Sequence, residues 1–243
     1  MRERDLFDVE NAVLVNARSA HEEAGAGEGG HRRALGELIV HYERLMRDMR
    51  GLIRRSDRAE GVMNRLNRQL HELTGQLEYR ASHDSLTGAL NRGALIAQAG
   101  RYLECGDMAM IVVDIDHFKH VNDDFGHPAG DAVIQSVAAC LVRLVGADGA
   151  VGRIGGEEFS VVLPKRSDEE ACRLAQSLRC AIAQQIFAEP VNRQVTASFG
   201  VSCNPAGTSY ESAYGRADAA LYEAKRTGRN RVVSAGSVKP IQA

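Results

Sequence analysis

The sequence lacks any uninterrupted apolar run approaching the ~20 residues that a membrane-spanning helix needs. Its opening residues, Met1-Arg2-Glu3-Arg4-Asp5, are charged and carry no apolar core of the kind a secretory signal has. Together these absences predict a cytoplasmic protein without a membrane span. Cysteine is sparse. Cys105, Cys140, Cys172, Cys180 and Cys203 are scattered with no Cys-x-x-Cys pair, which argues against zinc or a disulfide framework and for reduced thiols in a core. Charge of one sign is also missing. Thirty Lys and Arg against 32 Asp and Glu give a formal net charge of −2, so nothing pushes the chain toward nucleic acid or anionic lipid. Proline is absent from the first eighty residues. The 243 residues suffice for one ordinary domain plus an extension.

Composition changes near residue 80. Ahead of it, Leu6, Val9 and Val13 give residues 6–23 the spacing of a short amphipathic helix. Gly25, Gly27, Gly29 and Gly30 then read as a flexible hinge. From Leu35 a heptad pattern begins. Its a positions are Leu35, Tyr42, Met49, Ser56, Met63, Leu70 and Leu77. Its d positions are Leu38, Leu45, Leu52, Ala59, Leu66, Leu73 and Arg80. A 3-4 spacing sustained this long predicts a coiled-coil stalk of about 65–70 Å. At e, Ile39, Met46 and Ile53 are apolar, whereas Glu60, Asn67 and Thr74 are polar. The first half therefore has a wide apolar face that needs a further cover: the helix from Leu6 folded back, or a second protein. Arginines such as Arg44, Arg47, Arg54 and Arg58 make the stalk basic, as a solvated coiled-coil surface or as a site for an acidic partner. The predicted division is 1–30 for helix and hinge, 31–81 for the stalk, 82–236 for a mixed domain and 237–243 for a tail.

Within the mixed domain, Met108–Ile115 is a buried strand by its apolar, β-branched run. Residues 151–154 and 159–163 flank Gly155-Gly156 as a hairpin, and 194–202 and 231–234 read as further strands. Residues 128–145 and 210–226 have helical spacing, and Ser167 with Glu170 forms a capping-box pattern ahead of another helix. The order β-α-β-β-α-β predicts an α+β fold, a mostly antiparallel sheet with helices on one face.

Three motifs carry chemistry. Asp114 ends a hydrophobic strand, where a carboxylate needs a partner: a hard divalent cation, or merely the loop it caps. Gly155-Gly156-Glu157-Glu158-Phe159 sets two small residues in a turn, which lets a phosphate or ribose approach the backbone, and follows them with two acids. Lys225 and Arg229 lie four apart at a helix end, as C-terminal cap or as triphosphate clamp. Acids, close backbone approach and cations together are equipment for metal-dependent phosphoryl or nucleotidyl transfer.

At this point the sequence strongly resembles the GGDEF family over about residues 82–236. The motifs follow in order: Asp84-Ser85-Leu86-Thr87-Gly88-Ala89-Leu90-Asn91-Arg92; Asp114 to Lys119 with Asn122, Gly126-His127 and Gly130-Asp131; Arg153 to Phe159; then Ala217-Asp218 through Lys225, and Gly228-Arg229-Asn230. The resemblance implies a palm-like nucleotidyl-cyclase domain that joins two GTP molecules, one per subunit, into cyclic di-GMP and two pyrophosphates. It implies Mg²⁺ (or Mn²⁺) held by Asp114, Glu158 and the Ile115 carbonyl, with Glu157 helping to activate the ribose 3′-hydroxyl. Gly155 and Gly156 would make room for the nucleotide, Asn122 and Asp131 would read guanine, and Phe118, Lys119, Lys225 and Arg229 would complete substrate binding. Many relatives carry an inhibitory Arg-x-x-Asp product site; here its positions are Gly146, Ala147, Asp148 and Gly149, so no product inhibition through it is expected. The stalk resembles that of stand-alone cyclases from biofilm-control operons, which implies a homodimer or tetramer and a small regulatory protein near Ile39, Met46 and Ile53. The competing readings are a catalytically silent GTP- or cyclic di-GMP-binding effector and a purely structural coiled-coil adaptor.

Overall fold

The structure, a computed structural model, describes residues 8–22, 28–187 and 189–237. The chain separates into two compact units, residues 1–73 and 74–243.

Helix α1 spans Asp8–Glu22, and α2 spans Glu28–Ser82, 55 residues. The expected hinge is corrected here. Gly29 and Gly30 belong to the first turn of α2, where backbone N–H groups need no intrahelical partner and glycine costs least; residues 24–27 lie outside the described residues, as do Leu6, Phe7 and residues 238–243 of the expected tail. Ser56 does not interrupt the helix. Along α2, Leu35, Tyr42, Met49, Leu52, Met63, Leu66, Leu73 and Leu77 are exposed, while Leu38, Leu45 and Met46 are half-buried; most of the heptad stripe, and all of it past Met46, lies open within the single chain.

The second unit begins inside the last turns of α2 and continues with α3 (Arg92–Cys105), β1 (Met108–Ile115), α4 (Phe118–Phe125) and α5 (His127–Val145). Strands β2 (Ala150–Arg153) and β3 (Glu158–Pro164), helix α6 (Asp168–Ala183), β4 (Ala197–Asn204), α7 (Tyr210–Arg226) and β5 (Val232–Ser234) follow. The sheet order is β2-β3-β1-β4-β5. All pairings are antiparallel except β4 with β5, which is parallel.

The expected hairpin and capping box are present: Ser167 and Glu170 exchange side chain and backbone bonds at the start of α6. Two expectations are corrected. The fourth strand, β4, starts at Ala197 rather than residue 194. The helices cover both faces of the sheet, not one. The reason lies in β1, apolar at every position up to Asp114 and buried throughout, so both of its faces demand a layer. Ala109, Ile111, Val113 and Ile115 face α5 and α6. Met108, Met110 and Val112 face α3 and α7. Helix α5 is long and apolar enough by composition to cross a bilayer, yet half of it is buried, with Val133, Val137 and Leu141 in the core.

Helix α7 lies hard against β4. A Cβ on Gly200 would overlap the Ala217 carbonyl oxygen and the Leu221 N–H; only glycine permits this approach. The Ser202 hydroxyl adds a bond to the Ala217-side helix start, donating to the Ala213 carbonyl at 2.9 Å. This seating fixes where the far end of α7, with Lys225, meets the sheet.

Candidate active site

Strand parity assembles the acids. On β1, Asp114 shares the face of Met110 and Val112, toward α7. In the β1–β3 register it stands opposite Glu158, and paired residues point the same way. Lys225, in the last turn of α7, places Nζ 2.8 Å from Asp114 Oδ2. Gly155 lies close to Glu158: a Cβ there would come within 2.8 Å of Glu158 Oε2, so a larger residue would push that carboxylate aside. The Tyr214 hydroxyl points at Glu158 Oε1 at a long 3.5 Å.

The electrostatics are those of crowded carboxylates. Burial pushes the Asp114 carboxyl up, Lys225 pulls it down, and Asp116 pushes it up again, with a net rise. Glu157 is raised by burial and then by Asp114, against the pull of Lys225. Glu158 is raised by burial and Asp114, with Asp218 adding to the repulsion. Burial, with Glu158 and Asp218 nearby, pushes the Tyr214 hydroxyl up to about 12. Lys225, with Arg229 acting more weakly on Asp114, does not offset three acids, leaving surplus negative charge that a cation would relieve.

Among the described residues, no three acid, histidine or cysteine side chains form a cage for a metal ion. Two carboxylates with a backbone oxygen are nevertheless a fitting donor set for Mg²⁺, which commonly takes its other ligands from substrate phosphates and water.

A second cluster sits on α4 and α5. The Asn122 carboxamide lies against Gly130, where a Cβ would overlap it, and Gly126 N–H donates to the Asn122 carbonyl at 2.8 Å. Asp131 is exposed beside Gly130, and Lys119 is exposed on the first turn of α4. Phe118 is 6% exposed and packs in the core, with its ring beside Gly130 and Asn122.

Several residues of the site went unassigned in the sequence. Asp84, in the loop after α2, accepts Arg153 Nη1 at 3.2 Å, while Arg153 Nη2 donates to the Gly156 carbonyl at 2.7 Å. Asn91 caps α3 through Ala94 N–H and also donates to the Ala81 carbonyl. A bonded path thus runs from the last turn of α2 to the Gly-Gly turn. Burial alone would raise Asp84, but the Thr87 hydroxyl and Arg153 outweigh it and hold the carboxyl below its ordinary value. Asp116, second acid of the strand-end motif, has its oxygens engaged by Ser198, Thr196 and the Asn230 N–H. Its partners are some eighty to 114 residues away in sequence, so spacing could not reveal them.

A family model described as "Diguanylate cyclase, GGDEF domain" matches residues 81–231. Diguanylate cyclase DgcP of Pseudomonas aeruginosa is 39% identical over 191 residues, covering 73% of this chain and 28% of that protein. The chain therefore spans well under two thirds of that curated relative. Among solved structures, the coiled coil and GGDEF domain of DgcB from Caulobacter crescentus, in complex with c-di-GMP, superposes with TM-score 0.68 at 31% identity, over 74% of this chain and 98% of that one. Diguanylate cyclase SiaD in complex with its activator SiaC, from Pseudomonas aeruginosa, matches 93% of this chain and 97% of its own, with TM-score 0.63 and 26% identity.

Proposed function

The chain belongs to the GGDEF family, and from that premise we propose that it is a diguanylate cyclase, condensing two GTP into cyclic di-GMP with release of two pyrophosphates. The observation that carries this reading is the facing pair Asp114 and Glu158 with Lys225 at 2.8 Å: an acid cluster short of positive charge, bordered by a cation suited to phosphate.

In the proposed site, Asp114, Glu158 and the Ile115 carbonyl hold divalent ions, Mg²⁺ or Mn²⁺. Bound there, the ion would neutralise phosphate charge and lower the pKa of the ribose hydroxyl. Glu157, its carboxyl raised by burial, is suited to accept the 3′-hydroxyl proton. Lys225 and Arg229 hold the β- and γ-phosphates, with Lys119 near them; as the pyrophosphate leaves, these cations stabilise its growing charge. Asn122 and Asp131 orient guanine through its donor and acceptor edge. Phe118, its ring buried beside Gly130 and Asn122, completes the substrate site at the start of α4.

Each subunit holds one GTP, so bond formation needs two sites face to face, and association supplies the proximity. The stalk is the proposed device: its exposed heptad stripe pairs two or four chains, and a small protein covering Ile39, Met46 and Ile53 sets the active fraction. Diguanylate cyclase SiaD in complex with its activator SiaC is a similar protein that takes a regulatory partner. A cytoplasmic enzyme of biofilm or motility signalling follows from this reading. A silent nucleotide-binding effector is disfavoured by the intact acids.

The test is incubation of the full chain with GTP and Mg²⁺, with and without Glu158→Ala, and with mass measurement in solution. Cyclic di-GMP from the unmodified chain and none from the variant is expected. Nucleotide binding without product would assign the effector role instead.

A further inference from the structure

Arg229 and Asn230 both stand in left-handed backbone, with φ of 57° and 44°, a region that asparagine enters readily but that arginine has no intrinsic reason to enter. The turn is pinned from two sides. Asp116, 5% exposed, accepts the Asn230 N–H at 3.0 Å through Oδ2. The same oxygen takes the Thr196 hydroxyl at 2.8 Å, and Oδ1 takes the Ser198 hydroxyl at 2.7 Å. From the other side, Arg179 on α6 donates Nη1 to Asn230 Oδ1 at 3.0 Å, with a longer approach to the Asn230 carbonyl at 3.4 Å. Asp116 thus accepts three hydrogen bonds, all serving β4 and this turn, although it stands two residues from Asp114.

The pinned turn has a direction. Arg229 N–H donates to the Ala224 carbonyl at 3.0 Å, tying the residue to the end of α7 beside Lys225. Its guanidinium lies within electrostatic reach of Asp114. Lys225 is on a regular helix; Arg229 is on a turn, where its carbonyl also accepts Arg231 Nε at 3.2 Å.

The geometry points to Asp116 and Arg179 as positioning residues: they hold the Arg229–Asn230 turn in its left-handed form so that Arg229 meets the terminal phosphates of a nucleoside triphosphate already in place. This rests on the proposed reading of Lys225 and Arg229 as the phosphate clamp. The ligand class it concerns is the triphosphate moiety, not the base.

The test uses the full chain and its Arg179→Ala, Arg179→Lys and Asp116→Asn variants, alone and, for Arg179→Ala, combined with Arg229→Ala. Binding of α,β-methylene-GTP and of GMP with Mg²⁺ is measured by calorimetry, and turnover of GTP separately. Loss of the positioning bond should weaken the triphosphate analogue about tenfold and raise KM for GTP similarly, with kcat changed less than about threefold. Binding of GMP should stay within about twofold. Lysine, a single-point donor in place of a planar fork, should fall between wild type and alanine. In the Arg229→Ala background, Arg179→Ala should do nothing further. Asp116→Asn, buried and more prone to misfold, is read only beside the variants of the half-buried Arg179. Equal losses for GMP and the triphosphate, or full additivity with Arg229→Ala, would overturn the assignment. If the unmodified chain makes cyclic di-GMP and Arg179→Ala shows no triphosphate preference, the positioning role fails while the proposed activity stands. If it binds the analogue and makes no product, the activity fails and the calorimetric comparison still decides the turn. If it does not bind the analogue, both fall.

Discussion

Substituting alanine at Gly200 adds one carbon where α7 already touches β4. The added Cβ would overlap the Ala217 carbonyl oxygen and Leu221 nitrogen and come within 2.9 Å of Leu221 Cα. These are helix backbone atoms, so no side-chain rotation relieves them. The helix must lift by on the order of 1 Å, at an overpacking cost of about 1–3 kcal/mol. For a chain of this size that lowers Tm by roughly 2–12 °C. The lift is felt one turn further along, where Lys225 holds Asp114 at 2.8 Å. A misplacement of about 1 Å at a site of this kind costs up to ~100-fold in rate. Gly200→Ala should therefore stay folded at 25 °C and lose turnover by about 10- to 100-fold, a greater effect than its stability change implies. Gly215, on the same helix, has nothing within 4 Å of a built Cβ; Gly215→Ala should gain up to ~1 kcal/mol from helix propensity and keep its activity. Circular dichroism melts and product chromatography on the pair decide the matter. Full turnover with an unchanged Tm in Gly200→Ala would refute the seating of α7 described above.

The three acids make a pH and metal prediction. Their folded-state pKa values are raised, so the folded chain holds protons the unfolded chain has released, and stability falls as pH rises from the ordinary carboxylate range through the raised values. Glu158→Gln should accordingly raise Tm of the metal-free protein at neutral pH while abolishing turnover, and excess Mg²⁺ should narrow the Tm gap. Asp84 carries the opposite sign: its lowered pKa contributes stability that is present above the ordinary carboxylate range and lost as pH falls through the folded value. Asp84→Asn should cost roughly 1 kcal/mol at neutral pH, discounted for partial exposure, and flatten that acid limb in urea melts. Product titration should show no strong non-competitive inhibition through Gly146–Gly149, because glycine stands at the arginine position, Gly146, and the out-of-register Asp148 is paired with Arg166 at 3.0 Å; cyclic di-GMP bound at that turn in a solution footprint would contradict this.

The legible parts of the fold were those where one residue pattern had one physical outcome. The run 108–115 could be nothing but a strand, and Tyr210–Arg226 carried its helical spacing to both ends. The run also held the correction, since a strand apolar on both sides cannot be covered from one. Helix α3 was missed although Leu95, Ala99 and Leu103 recur at four-residue spacing and all are buried; Asn91 was the available cap signal. Helix α4, eight residues long, is too short for periodicity to speak. In the site, the facing of Asp114 and Glu158 needs the register of β1 on β3, which no local pattern encodes. Arg153 and Asp84 were quoted within motifs yet had no role, because their link spans 69 residues. Phe118 was placed at the ligand by its motif; its ring is buried beside Gly130 and Asn122, a neighbourhood that spacing alone did not give.

The Lys225–Asp114 pair has a consequence for the order in which ligands arrive. On the proposed reading, a metal ion alone must take Asp114 from Lys225, setting two positive charges side by side. A triphosphate alone must draw Lys225 away, stranding a carboxylate that is nearly out of water. Arriving together, the ion takes the carboxylate and the phosphate takes the ammonium, and the four charges simply change partners. Metal and nucleotide should thus favour each other's binding, by the same factor in either direction as linkage requires. The ligand-free enzyme is an ion pair at rest, waiting for another ion pair to exchange with.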